Sequence, residues 1–243
     1  MGVQAIAAVL CVVLAAAATG TAQHPEAMSL LGKPLFTSPP RGDAAKTLQA
    51  QIAAARETAA KDPSNADAAY ALGQADEAAG RLLDAIDAYT IAIERHPDDA
   101  RLVFARGRLL TVIRKFDVAL RDLRNAADTL PEARCRVAFV TYLKGEFQAA
   151  RTAFKACPAS SWAALADARA TGSPLPRAPV QDDLVAAYYA ALAPLVAKDI
   201  PHAREALTKI VDKESKRWME DTYIAAEADL ARLPKKRPKK AQR

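Results

Sequence analysis

Asp67–Pro97, DAAYALGQADEAAGRLLDAIDAYTIAIERHP, and Arg101–Pro131, RLVFARGRLLTVIRKFDVALRDLRNAADTLP, follow one another at an offset of 34 residues. Overlaid, Ala69 falls on Val103, Leu72 on Arg106, Gly73 on Gly107, Ala85 on Ala119, Tyr89 on Leu123, Ala92 on Ala126 and Pro97 on Pro131. A fixed period of this size marks a stacked repeat, with one helix–turn–helix unit per period. The shared small residues have a packing reason. A Gly inside a helix costs about 1 kcal/mol against Ala, so Gly73 and Gly107 are read as places where a second helix approaches closely. Ala85, Ala92, Ala119 and Ala126 make the same allowance from that second helix. Proline lacks a backbone N–H, and Pro97 and Pro131 are read as ending each repeat. One helix pair cannot bury its apolar face alone, so the units must stack.

Upstream, Asp43–Lys61 is helical by period, with Asp43 as N-cap and Leu48, Ile52 and Ala55 on one face. It reads as a packing helix that covers the apolar end of the first repeat. Downstream, Phe147, Ala150, Phe154 and Cys157 copy Phe116, Ala119, Leu123 and Ala126, now 31 residues on. The spacing predicts a third unit, shortened ahead of its second helix, with Glu132–Leu143 as its first helix and Gly145 at the turn. Ser161–Ala170 reads as a further short helix, and residues 171–180, with three prolines and a glycine, as a linker. Leu184, Tyr188 and Leu192 begin another helical segment, which Pro194 is expected to kink or end. Ala203, Leu207 and Ile210 repeat the spacing of Ala85, Tyr89 and Ala92, so 181–233 reads as a degenerate repeat closed by a capping helix over Glu214–Leu233. The expected fold is an all-α helical-hairpin solenoid over 43–170 with capping helices at both ends.

The period and its Gly, Ala and Pro positions resemble the tetratricopeptide repeat family. That resemblance implies a concave face, lined by the first helix of each unit, that holds peptide segments of a protein partner. Carried over position by position, the face comprises Tyr70, Gln74 and Glu77, then Phe104, Arg108 and Thr111, with Arg101 at the rim. Arg and aromatic side chains are enriched where partners bind tightly, and a solvated helix face is the plain alternative. The repeats lack the Lys/Asn carboxylate-clamp pattern of chaperone-binding relatives. Arg106 departs from the family, whose residue there is apolar; it either snorkels or meets a polar group of a neighbouring helix.

Residues 1–22 read as a secretory signal peptide: Ala5–Ala18 is apolar and uncharged, and Gly20, Thr21 and Ala22 supply a cleavage site after Ala22. The n-region carries no Lys or Arg, so an uncleaved membrane anchor is the alternative. Residues 23–42 follow as a Pro-rich, poorly structured lead-in, in which Ser29–Leu35 resembles the start of exported bacterial tetratricopeptide proteins. Cleavage would leave two cysteines, Cys135 near the start of one helix and Cys157 near the end of its antiparallel neighbour. An exported chain invites a disulfide between them; two free buried thiols remain open, because register does not set the Cα distance. The net charge of +6 sits in the tail. Arg232, Lys235, Lys236, Arg237, Lys239, Lys240 and Arg243 leave the rest of the chain at six less seven, or −1. The stretch 234–243 is expected to be a disordered basic tail for anionic envelope surfaces, or to serve solubility alone.

Nothing in the sequence forms a catalytic constellation. HExxH, nucleophile-elbow, phosphate-loop, paired-cysteine and Gly-x-Gly-x-x-Gly patterns are absent, so neither a metal nor a cofactor is expected. His96 with Asp98 or Asp99 could be drawn as ligands, but a polar turn between repeats explains them. The expected protein is an exported, periplasmic scaffold or accessory subunit that binds a protein or peptide and is not an enzyme. Two rival readings stand beside it: an envelope enzyme with a site in 161–213, and a nucleic-acid-binding protein using Lys235–Lys240, against which the apolar amino-terminus argues.

Overall fold

The computed structural model describes residues 24–157, 159–179 and 182–234. Among these, eleven α-helices follow a short antiparallel strand pair. Helices α1 (Asp43–Lys61), α2 (Ala66–Ala78), α3 (Leu82–Arg95), α4 (Ala100–Val112), α5 (Phe116–Ala126), α6 (Pro131–Leu143), α7 (Phe147–Ala153) and α8 (Ser161–Thr171) pack each on the next. The expected all-α solenoid is therefore present, with α2–α3, α4–α5 and α6–α7 as its hairpins.

The hairpin turns share one construction. Two residues beyond each first helix, a residue takes the left-handed conformation: Gly80 (φ 72°), Arg114 (φ 67°), Gly145 (φ 81°) and Lys198 (φ 60°). The next amide then returns to the helix, Arg81 to the Asp76 carbonyl, Lys115 to Leu110, Glu146 to Thr141 and Asp199 to Pro194. Each such bond satisfies a carbonyl that the ending helix leaves free. The fourth turn joins α9 (Asp183–Val196) to α10 (Ile200–Lys213), so the degenerate segment is a hairpin of the same make. Its packing positions match too. Gly73 and Gly107 on the first helices face Tyr89 and Leu123 on the second; Ala138 and Ala191, and Phe154 and Leu207, hold the corresponding positions and are buried, and Ala85, Ala119, Ala150 and Ala203 are fully buried. A Cβ added to Gly73 would stand 2.3 Å from the Tyr89 ring, and one on Gly107 2.9 Å from Leu123 Cγ.

Several expectations are corrected. The loss of three residues falls at the end of α5, not ahead of α7: α5 has 11 residues where α3 has 14. As a result Pro131 does not close the second repeat but opens α6, in the first turn, where a missing N–H is tolerated. Gly42, not Asp43, occupies the cap position of α1. Pro194 lies inside the last turn of α9 without ending it. The stretch Glu214–Leu233 is not one helix: a 3₁₀ turn at Ser215–Arg217 precedes α11 (Asp221–Arg232). The break turns Trp218 into the core, and Arg217 binds Asp182 and Glu220 across it.

The lead-in is also more ordered than expected. Strand β1 (Ala27–Met28) pairs antiparallel with β2 (Pro34–Leu35), with Ala27 opposite Leu35, and both of those side chains are buried. Ser29 Oγ accepts from the Leu31 and Lys33 amides and closes the turn. The hairpin is tied to distant helices. Glu26 accepts from the Leu83 amide at the start of α3, Thr37 Oγ1 donates to the Gly80 carbonyl (2.7 Å), and Trp218 Nε1 donates to the Phe36 carbonyl (2.8 Å). Polar backbone satisfied in this way outweighs the entropy that a Pro-rich composition suggests.

α11 does more than cover an end. It packs against α6, α9 and α10, and every side chain from Tyr223 to Leu230 is buried, two carboxylates included. Glu227 pairs with Arg114 at 2.7 Å, both essentially removed from solvent. Arg114 also donates to the Trp218 carbonyl (2.8 Å) and lies over the Trp218 ring, while Glu227 accepts from the Leu30 amide (2.7 Å). Burial pulls the Arg114 pKa down, and Glu227 opposes it. One buried ion pair thus joins the second repeat, the last helix and the amino-terminal hairpin. Buried pairs need such extra hydrogen bonds to offset desolvation.

Candidate partner-binding groove

The face implied by the repeats exists only over the first two units. Gln74 and Arg101 are exposed, while Tyr70, Glu77, Phe104 and Arg108 are half-buried. The structure links these residues in pairs. Arg101 lies over the Tyr70 ring, 5.7 Å from its centroid, and binds Asp67 (2.8 Å) and Asp99 (2.7 Å). Arg108 binds Glu77 at 2.5 Å, and this bond raises its pKa although burial works against it. Thr111 is a correction: it is buried, and its hydroxyl is spent on the Gly107 carbonyl (3.0 Å). The face therefore ends within the second repeat.

What ends it is visible one unit on. In register, Arg108 corresponds to Phe139 and Thr111 to Tyr142, and both of those α6 residues are buried. Tyr142 meets Tyr188 of α9, hydroxyl to hydroxyl, at 3.0 Å, and Tyr188 donates to Asp229 of α11 at 2.8 Å. Arg169 of α8 makes two 3.0 Å bonds to the same carboxylate and lies 4.0 Å from the Phe147 ring centroid. Arg232 binds Asp229 as well, at 2.5 Å. Burial pushes the Asp229 pKa up, but Arg169, Arg232 and Tyr188 together hold it below the ordinary carboxylate value. The same charge and burial push Tyr142 up to about 12. So α11 occupies the α6–α9 part of the face through a carboxylate held by arginine and tyrosine.

This cluster holds the only linked titratable groups in or beside 161–213 that are deeply buried among the described residues, and its polar atoms satisfy one another. Two clefts of the described surface lie away from it. One, of about 190 Å³, lies between α1, α2 and α3; the other, of about 460 Å³, lies between the amino-terminal hairpin and the α10–α11 junction. No group of His, Cys, Asp and Glu among the described residues could hold a metal ion. Asp99 instead caps α4, accepting from the Arg101 amide (3.0 Å). Cys135 and Cys157 are joined by a disulfide with Cα atoms 5.7 Å apart. Arg106 binds Asp122 of α5 twice, at 2.7 and 2.9 Å, and Thr90 of α3 at 3.2 Å, which accounts for its departure from an apolar residue. The tail residues Lys235, Lys236, Arg237, Lys239 and Lys240, and the segment 1–22, lie outside the described residues. Among the described residues, no helix is long and apolar enough to cross a membrane.

Sequence reading missed the α11 cluster and the Arg114–Glu227 pair. Two signals could have pointed to them. Glu227 and Asp229 interrupt an otherwise apolar stretch, and Arg114 stands where Gly80 and Gly145 stand in the neighbouring turns.

Comparison with known proteins agrees with the repeat reading. A tetratricopeptide repeat model matches residues 43–100 and again 70–128. No curated protein matches the chain in sequence. Among solved structures, one titled "Crystal structure of MamA" aligns with 74% of this chain and 98% of its own, at 19% identity and a TM-score of 0.44. The family model falls on α1–α5, the segment whose period, turns and Gly–aromatic packing have just been described, and these helices are tetratricopeptide repeats.

Proposed function

We propose that this protein is an exported scaffold or accessory subunit of the bacterial envelope, and that it takes a peptide segment of its partner on the face formed by Tyr70, Gln74, Glu77, Arg101, Phe104 and Arg108. Repeats of this family generally bind proteins and are typically non-catalytic. The observation that carries the placement is the contrast along one face: over α6 it is filled by α11, and over α2 and α4 it is open. The open part combines half-buried aromatic rings with arginines, the side chains that dominate binding hot spots. Export rests on the apolar run and small residues of 5–22, and cleavage after Ala22 is part of the proposal. The basic stretch 235–243 is assigned to anionic envelope surfaces, where each Lys or Arg contributes about 1 kcal/mol within a Debye length.

A photo-crosslinking side chain placed at Gln74, and as a control at the exposed Asp87 on α3, tests the placement in intact cells. One specific envelope partner should be captured from position 74 and not from 87. Equal capture from both positions, or a cytoplasmic partner, refutes the reading.

A further inference from the structure

One polar atom of the repeats has no role in packing. Tyr89 of α3 is fully buried, and its ring meets α2 at Gly73, where an added Cβ would stand 2.5 Å from Cζ, the carbon that bears the hydroxyl. The hydroxyl is shielded from solvent and has no hydrogen-bond partner among the described residues. The corresponding residues Leu123, Phe154 and Leu207 fill the same place without a hydroxyl. A buried hydroxyl without a partner carries a desolvation cost that an apolar residue avoids. Directly over it lies the open face. The Tyr70 ring of that face lies 5.9 Å from the Tyr89 ring, centroid to centroid; burial first, and then the Glu77 charge, push the Tyr89 pKa up, while Arg108 opposes them. Of the donors of Arg108, only Nη2 is engaged among the described residues, by Glu77.

The filled half of the face indicates what such a pair of groups holds. There a buried tyrosine hydroxyl and an arginine converge on a carboxylate, Asp229, presented by a helix that lies on the face. The open half has the tyrosine and the arginine, with Glu77 of α2 on that arginine. We propose that Tyr89 and Arg108 form a subsite for an acidic side chain of the partner segment, which displaces Glu77 from Arg108 and accepts from the Tyr89 hydroxyl. Both groups donate to it: arginine cannot accept, and the tyrosine hydroxyl has nothing else to donate to. Glu77 keeps Arg108 paired while the face is empty and, being only half-buried, can swing outward when the acid enters. This inference rests on the scaffold reading and adds the chemistry of the bound segment.

Peptides selected from a random display library on the full-length protein provide the probe. Those displaced by Tyr70→Ala should carry Asp or Glu at one position. Tyr89→Phe should weaken them about tenfold, the size of a lost hydrogen bond to a charged group, and Arg108→Gln at least as much, whereas Glu77→Gln should strengthen them. Replacing the acid by its amide should make a peptide indifferent to Tyr89→Phe. The free Tyr89→Phe protein should melt no lower than wild type, because it loses a polar group that has no partner. Peptides that need Tyr70 but carry no acid, or ignore Tyr89→Phe, overturn the subsite and leave the groove standing. Peptides indifferent to Tyr70→Ala overturn the groove and the subsite together. A lower melting point for free Tyr89→Phe shows that the hydroxyl is already satisfied, by a buried water, and also overturns the subsite.

Discussion

Gly73→Ala is a sharp test of how the helices pack. In an exposed helix this change stabilises by about 1 kcal/mol, because Ala has the higher propensity. Here the new methyl would lie 2.3 Å from Tyr89 Cε1, 2.5 Å from Cζ and 2.7 Å from Cδ1. Heavy atoms do not approach so closely. The contacts fall on an aromatic ring whose atoms move together, held under α2 on the helix face it shares with the buried Ala85 and Ala92. Either the ring leaves its rotamer or α2 lifts off α3, and overpacking of this kind costs typically 1–3 kcal/mol or more. A net destabilisation of about 2 kcal/mol is therefore expected. The remedy is in the neighbouring repeat, where Leu123 faces Gly107 with more room. Combined with Tyr89→Leu, Gly73→Ala should cost at least about 1 kcal/mol less than the two single changes sum to, the sign of direct contact. Urea unfolding followed by circular dichroism measures all three variants. If Gly73→Ala alone stabilises by about 1 kcal/mol, Tyr89 does not lie beneath α2, and the floor assigned to the groove is wrong.

Other perturbations probe other links. Glu227→Ala leaves Arg114 charged and buried, so a loss of about 3–5 kcal/mol is expected, while Arg114→Met with Glu227→Met should recover most of it; equal losses in the single and double variants, by urea unfolding, would deny the pair its place as the central tie. Asp229 has a folded-state pKa below its unfolded value of about 3.9, so its contribution is present above that value and is lost as pH falls through the lower, folded one. Stability measured from pH 7 downward should hold to about pH 5 and then decline, and Asp229→Asn should flatten that decline; an unchanged slope in the variant refutes the assignment. Reduction of the Cys135–Cys157 bond, which spans 22 residues, should cost on the order of 3 kcal/mol. Labelling of unreduced, unfolded protein should find neither of these thiols reactive. N-terminal sequencing of the mature protein should begin at Gln23, and a protein that retains Met1 removes the cleavage.

The hairpins were legible in the sequence because their contacts are local and periodic. Gly73 with Tyr89, Gly107 with Leu123, and the alanines at 85, 119, 150 and 203 lie within one hairpin, so a 34-residue offset reveals them. The same local logic located α9–α10 from Ala203, Leu207 and Ile210, and placed the two cysteines at adjoining helix ends. Periodicity failed where chain was lost between units, so Pro131 looked like a terminator although it opens α6. How much of the face stays open was decided by tertiary structure alone. Leu30 and Glu227 are 197 residues apart, Arg114 and Glu227 113, and Arg169 and Asp229 60. Pairs so distant have no repeat to announce them. They form because α11 can bury its apolar side chains only by carrying two carboxylates inward with them. Those carboxylates must then meet arginines and hydroxyls already held by other elements. The sequence alone thus determined that there would be a helical-repeat face, though it counted the buried Thr111 among the residues lining it; the folding of α11 onto α6 and α9 decided which part of that face stays uncovered among the described residues.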